Sequence, residues 1–301
     1  MDQLLLPVPA SVSRPVRAWA AIRLTRPWFW PLGWAGAYLG YVLAAGTWSP
    51  PATVIPAFLV LGPLVWGAVL TINDLHDLPS DRHNPRKATA PLVTGVLTVA
   101  DLRRWHRWYV VTALACAALV GPAFLAGTAG VLLLGWLYSA PPVRLKGRPG
   151  ADVLVNALVV GVFGPVSGWS LHRPVTEYPA IMALLGLLLA AALYVPTTVM
   201  DRDADVVAGD ATTAVRWRPE VCYWVGLALW ASATAAWLAT CYLDVLVTRD
   251  DWTLQTAWSP VLVAVYAAAT RRPSIPRMAL VTLAFAVPAA DFMLAVAGYI
   301  S

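Results

Sequence analysis

The sequence predicts an all-α membrane protein, with nine transmembrane helices in one domain over residues 1–301. Two observations carry this. The chain is 59% hydrophobic and 12% charged, with a mean hydropathy of +0.65, whereas a soluble domain is about 45–50% apolar and about 25% charged. Apolar runs close to the roughly 20 residues that cross a bilayer recur along the whole chain. No polar stretch is long enough for a second domain, and there is no sequence repeat.

Residues 1–27 read as a polar, basic lead-in, without the short apolar segment and small-residue cleavage site of a signal peptide. The expected spans are 28–47, 52–72, 108–126, 128–140, 153–171, 179–200, 221–240, 253–270 and 278–299. The fourth is short and has room to start a few residues earlier. Pro51, Gly127, Pro141-Pro142 and Pro273 punctuate the helix ends. Cys116, Cys222 and Cys241 fall in apolar runs, at spacings that suit neither a disulfide framework nor a metal. They read as small core residues.

Positive residues prefer the cytoplasmic side of a membrane. With nine spans, 19 of the 21 Lys and Arg residues fall on one side, and only Arg173 and Arg249 on the other. That places the N-terminus in the cytoplasm, in a multi-pass protein of the cytoplasmic membrane. Contact with lipid headgroups then accounts for the net charge of +5. A nucleic-acid partner is excluded, because no basic, aromatic-interleaved soluble module exists to hold one.

Two acidic clusters stand at ends of these apolar runs: Asn73-Asp74-Leu75-His76-Asp77-Leu78-Pro79-Ser80-Asp81, and Asp201-Arg202-Asp203-Ala204-Asp205 followed by Gly209-Asp210. They hold seven of the sixteen carboxylates, and carboxylates beside a membrane core are costly and usually functional. If the second helix continues through the first cluster, Asp74, Asp77 and Asp81 fall within an arc of about 60° on one face, with Asn73 at its edge. Like charges so placed repel. Mg²⁺ suits them, since it takes hard oxygen ligands and substrate phosphates. Pro79 is expected to kink or end the helix there. A plain acidic cap is disfavoured, because acids belong at helix N-termini and this cluster lies at a C-terminus.

Asp201 and Asp205 lie about 40° apart on one helical face; Asp203 points away. Gly209 is expected to break the helix, and Asp210 either reaches back or serves a turn. Both clusters fall on the cytoplasmic side, so they can converge and hold divalent cations against a diphosphate.

The segment Asn73-Asp74-x-x-Asp77-x-x-x-Asp81, then Pro91-Leu92-Val93-Thr94-Gly95, resembles the first signature of UbiA-type intramembrane prenyltransferases. Asp201-x-x-x-Asp205 with Gly209 resembles the second. Tyr138-Ser139-Ala140-Pro141-Pro142-Val143-Arg144-Leu145-Lys146 is similar to the loop 4–5 segment of the chlorophyll-synthase-like branch, and Ile22-Arg23-Leu24-Thr25-Arg26-Pro27 to the approach to helix 1. The resemblance implies a central lipid-accessible cavity with Mg²⁺ and an isoprenyl diphosphate at its cytoplasmic end. It implies Asn73, Asp74, Asp77, Asp81, Asp201 and Asp205 as metal ligands, with Asp74, Asp77, Asp201 and Asp205 the catalytic carboxylates. It implies Arg23, Arg86, Lys87, Tyr138, Arg144 and Lys146 as the diphosphate set. Two positions depart from the family pattern: Ala90 stands where Arg is common before Pro-Leu-x-x-Gly, and Pro142 stands where Lys is common four residues after Tyr138.

The implied reaction is ionisation of an allylic diphosphate and attack by a small lipophilic acceptor in a cavity that excludes water. A terpene cyclase uses the same ionisation but attacks its own chain. A transporter is the rival of another class, though its site would be expected at mid-bilayer on broken helices. Trp66 and Tyr138 read as cavity residues, and the other Trp residues as interface anchors. Asp152 reads as a helix cap and Asn156 as a cavity residue; Asp291 reads as a structural partner of an amide or hydroxyl, with an acceptor-orienting or proton-handling group as the alternative. His76 reads as solvated, and His83 and His106 as loop or interface residues.

Overall fold

The computed structural model describes residues 13–82 and 84–298, without the side chains of Thr53, Arg86 and Ala208. Readings made at residues 1–12, at His83 and for the Arg86 side chain lie outside these described residues. The helices are α1 (Arg14–Leu24), α2 (Trp30–Ala45), α3 (Ile55–Asp81), α4 (Val99–Val120), α5 (Pro122–Ser139), α6 (Ala151–Trp169), α7 (Ala180–Ala208), α8 (Pro219–Tyr242), α9 (Thr253–Thr270) and α10 (Ile275–Val296), with a single-turn helix at Thr213–Trp217. No strand occurs among the described residues.

Six of these, α3, α5, α6, α7, α8 and α10, are long and apolar enough to cross a membrane. Nine spans were expected, and the three stretches that fall short do so for physical reasons. The 16 residues of α2 extend about 24 Å, less than a hydrocarbon core of about 30 Å. The early turns of α4 carry Asp101, Arg103, Arg104 and Arg107. Gln255, Thr256 and Ser259 dilute the apolarity of α9. The start of α4 is set by a reciprocal capping box: the Asp101 amide donates to Thr98 Oγ1 at 3.1 Å and the Thr98 amide to Asp101 Oδ2 at 3.0 Å. That helix therefore begins nine residues ahead of the expected span and ends at Gly121. Pro122 then opens α5, which gains the length the fourth span lacked.

The chain divides into two compact units. The first comprises residues 13–35, 52–146 and 204–210. Here α3, α4 and α5 pack on one another, and the foot of α1 closes a core of Ala20, Leu24, Leu92, Leu97 and Leu102. The Tyr109 hydroxyl ties α4 to α1 by donating to the Ala21 carbonyl at 3.0 Å. Gly62 and Pro63 kink α3. The Trp34 indole fills the space a Gly62 side chain would need and donates to the Phe58 carbonyl at 2.9 Å.

Pro79 does not end α3: the helix runs on to Asp81. A proline in the last turn sacrifices one hydrogen bond, and the turn still closes through the Arg82 amide on the Leu78 carbonyl.

The second unit comprises residues 36–51, 147–203 and 211–298. Small residues let its backbones touch, as between membrane helices generally. A side chain at Gly40 would collide with the Pro165 carbonyl, one at Gly168 with the Ala37 carbonyl, and Gly161 and Gly186 meet in the same way. Stacked Trp230 and Tyr266 rings, 4.9 Å apart, fill the core among α7, α8 and α9, and the Tyr266 hydroxyl donates to the Ala192 carbonyl at 2.7 Å. A Gly40→Val substitution is expected to abolish recovery of folded protein in detergent size-exclusion chromatography, because overpacking costs about 1–3 kcal/mol even where side chains can yield and here the obstacle is backbone. Gly127, which has nothing within 4 Å of an added Cβ, should accept alanine without loss in the same assay.

Candidate active site

Asp74, Asp77 and Asp81 share the buried face of α3 expected from their spacing, at 6%, 5% and 8% exposure. Isolated carboxylates at that depth would not stay ionised. Each is instead met by basic side chains of the same unit, and two bridged groups result. In the first, Arg26 Nη2 donates to Asp74 Oδ1 at 2.7 Å, and Lys87 Nζ spans Asp74 at 3.2 Å and Asp81 at 3.0 Å. In the second, Arg144 Nη2 reaches Asp77 at 3.5 Å and both Asp210 oxygens at 3.0 and 3.3 Å. Lys146 pairs with Asp77 and lies 4.0 Å from Asp210. Asn73 holds the other Asp77 oxygen through its amide at 2.6 Å. Four carboxylates thus balance four cations.

Local conformation brings the cations in. The residue before a proline is pushed out of the α region, and Arg26, before Pro27, leaves α1 with φ 45° and ψ 74°. Arg144 follows Pro141-Pro142 and also has a positive φ, 40°. Non-glycine residues in this region are uncommon and cost about 1–3 kcal/mol each. Both of these aim a guanidinium at a buried carboxylate. Lys87 ends the short 3-10 turn Pro85–Lys87, and Lys146 lies in the turn Leu145–Gly147.

Asp210 arrives by a different device. Helix α7 runs eight residues past the expected span, so Asp201 and Asp205 are helical and half-buried while Asp203 is exposed beside Arg202. Gly209, at φ 74°, ends the helix. The Asp210 amide closes on the Asp205 carbonyl at 2.9 Å and the Gly209 amide on the Val206 carbonyl at 3.1 Å. This is a Schellman turn, for which glycine is the natural residue. It turns Asp210 back to Arg144, so a residue of the second acidic segment and one of the first share one guanidinium.

Other candidates are placed differently. Arg23 Nη2 contacts the Thr89 carbonyl at 3.5 Å, and its neighbour Arg26 takes the carboxylate. Tyr138 is half-buried in the last turn of α5. Trp66 stacks on Phe29 at 5.2 Å. His106 is half-buried, with Nδ1 3.0 Å from the Ala68 carbonyl. Asp152 is a buried tie to Thr213, and Asp291 accepts from Arg249 and Gln255, both at 2.8 Å. Sequence reasoning missed Arg26 as a site residue and left Asp210 open. The Arg-Pro step and the Gly-Asp step were the available signals, but both occur in ordinary turns.

The donor set fits a hard divalent cation: buried carboxylate oxygens with Asn73 alongside, and no thiolate or imidazole in the two bridged groups. Among the described residues, no three His, Cys, Asp or Glu side chains already form a ready metal cage. The interposed Lys and Arg side chains explain this. A metal ion would have to take over carboxylates that these cations now hold, which would release the cations toward an anionic ligand.

A model of the UbiA prenyltransferase family matches residues 28–254. The chain is 29% identical over 205 residues to a digeranylgeranylglyceryl phosphate synthase of Methanoculleus marisnigri, covering 67% of this chain and 68% of that one. It is 30% identical over 208 residues to a lycopene elongase/hydratase of Halobacterium salinarum, covering 64% and 68%. The chain thus spans about two thirds of the length of these curated relatives. Among solved structures it resembles a UbiA homolog from Archaeoglobus fulgidus bound to DMAPP and Mg²⁺, with a TM-score of 0.73, 25% identity and coverage of 93% of this chain and 99% of that one. Both acidic signatures and the Arg144–Lys146 turn fall inside the matched region, and the chain belongs to the UbiA prenyltransferase family.

Proposed function

We propose that this chain is a Mg²⁺-dependent intramembrane prenyltransferase, acting as one domain over residues 1–301. It ionises an isoprenyl diphosphate and transfers the prenyl group to a small lipophilic acceptor. The observation that carries this reading is the balanced lattice of four carboxylates, three of them buried, and four cations at one end of α3. Such a lattice can exchange internal ion pairs for a divalent metal and a diphosphate at little net change in charge. Counted on nine spans, the positive-side bias supports a site at the cytoplasmic face of the cytoplasmic membrane.

In this reading Asp74, Asp77 and Asp81 would hold the metal, with the Asn73 amide orienting Asp77; the sequence resemblance adds Asn73, Asp201 and Asp205 as metal ligands. Bound Mg²⁺ supplies positive charge to the leaving diphosphate. Arg26, Lys87, Arg144 and Lys146 receive the diphosphate oxygens, the arginines through paired donors and the lysines as point charges. Arg23, Arg86 and Tyr138 complete the proposed diphosphate set. Apolar helix surfaces keep water from the allylic cation.

The test is incubation of purified protein with C10 to C25 prenyl diphosphates and Mg²⁺, with and without lipophilic acceptors. Diphosphate release that depends on an acceptor supports transfer. Cyclic hydrocarbon formed without acceptor replaces the proposal by a cyclase, and no turnover or diphosphate binding under any condition rejects both. Arg26→Ala should lower kcat/KM for the prenyl diphosphate about tenfold to a hundredfold, since a hydrogen bond to a charged group contributes about 1.5–3 kcal/mol. Arg23→Ala, whose side-chain hydrogen bond among the described residues goes to a loop carbonyl, should act more weakly in the same steady-state measurement.

A further inference from the structure

Beside the acidic face of α3, helices α3 and α4 enclose a groove of about 530 Å³ lined by Ile72, Leu75, His76, Val99, Arg103, His106 and Arg107. We propose that this groove seats the phosphate headgroup of an anionic membrane lipid. The inference concerns a second site and does not rest on the prenyl-transfer chemistry.

Its lining contains no carboxylate. Arg103 and Arg107 stand four residues apart, one turn above each other on α4, where like charges repel unless an anion lies between them. Both are exposed, and neither has a hydrogen bond or ion pair among the described residues. Arg104, between them in sequence, acts electrostatically on Asp101 and is not among the groove-lining residues, so only the i, i+4 pair faces the groove.

Two features favour a lipid over a free anion. Ile72, Leu75 and Val99 give the groove an apolar floor beside the guanidiniums. Directly after Arg107, α4 changes to exposed apolar residues: Trp108 at 50%, Val111 at 66% and Leu119 at 79% exposure. A Trp at the point where charge gives way to exposed apolar surface marks the headgroup level. A phosphate held there has its acyl chains led along that surface, and basic pockets between membrane helices are suited to such headgroups.

The test is native mass spectrometry of detergent-solubilised protein given equal amounts of phosphatidylglycerol and phosphatidylcholine. Wild type should retain phosphatidylglycerol preferentially. Arg103→Gln/Arg107→Gln should reduce that preference about tenfold to thirtyfold, as two basic contacts of about 1 kcal/mol each imply. Arg104→Gln should leave it unchanged, and Arg103→Lys/Arg107→Lys should retain most of it, which separates loss of charge from loss of fold. An undiminished preference in the double glutamine variant overturns the proposal. Displacement of the lipid from wild type by millimolar inorganic phosphate would also overturn it, since that marks a free-anion site.

Discussion

Asp77→Asn is expected to reduce release of diphosphate from a prenyl diphosphate by about a hundredfold to a thousandfold, the usual size of losing one charge-stabilising group from a site. Asp77 is the most connected carboxylate of the lattice: Arg144, Lys146 and Asn73 all converge on it. The asparagine keeps its shape but removes the anionic oxygen that a hard cation needs. Stability should change much less than turnover, because Arg144 keeps Asp210 at 3.0 Å and Lys146 still has it within 4.0 Å, so neither cation is stranded. The discriminating pair of measurements is steady-state turnover and thermal unfolding in the same detergent. Removing divalent metal with a chelator should stop wild-type turnover and should be reversed by Mg²⁺. Wild-type rates in Asp77→Asn, or in chelator, would reject the assignment of this lattice to catalysis.

A large stability effect is expected from Asp152→Ala, at about 3 kcal/mol. Asp152 is 1% exposed at the start of α6. Its oxygens accept from the Thr213 amide and the Val153 amide, both at 2.9 Å, and from the Thr213 hydroxyl. That hydroxyl in turn accepts from the Gly150 amide at 2.8 Å. Truncating the aspartate strands the buried Thr213 amide as well as removing charge-assisted bonds, and an unsatisfied buried donor costs about 1–3 kcal/mol by itself. Thr213→Val removes only the hydroxyl and should cost about 1 kcal/mol. The two substitutions share partners, so they should be strongly non-additive in a double-mutant cycle read by thermal unfolding. Additive effects would show that the bonds carry no coupled energy.

How much of this was legible follows the range of each interaction. The all-helical architecture was open to reading because apolar composition and run length are local quantities. So was the single face of Asp74, Asp77 and Asp81, because the helical step alone aligns i, i+3 and i+7. The end of α7 at Gly209 was legible for the same kind of reason. Span boundaries were less so. The start of α4 depends on the Thr98–Asp101 capping box, which lies outside the apolar run, and Pro79 was tolerated because it fell in a last turn.

The pairing inside the site belongs to another class of information. Arg26 meets Asp74 across 48 residues and Arg144 meets Asp210 across 66. Neither partner is implied by spacing, and which of Arg23 and Arg26 reaches the carboxylate turns on one backbone conformation before Pro27. The sequence therefore specified the helices and the chemical kinds of groups at their ends, since both depend on neighbours within a turn or two. Which cation neutralises which carboxylate was decided only by the tertiary structure, because a buried charge takes the partner that chain folding delivers within about 3 Å.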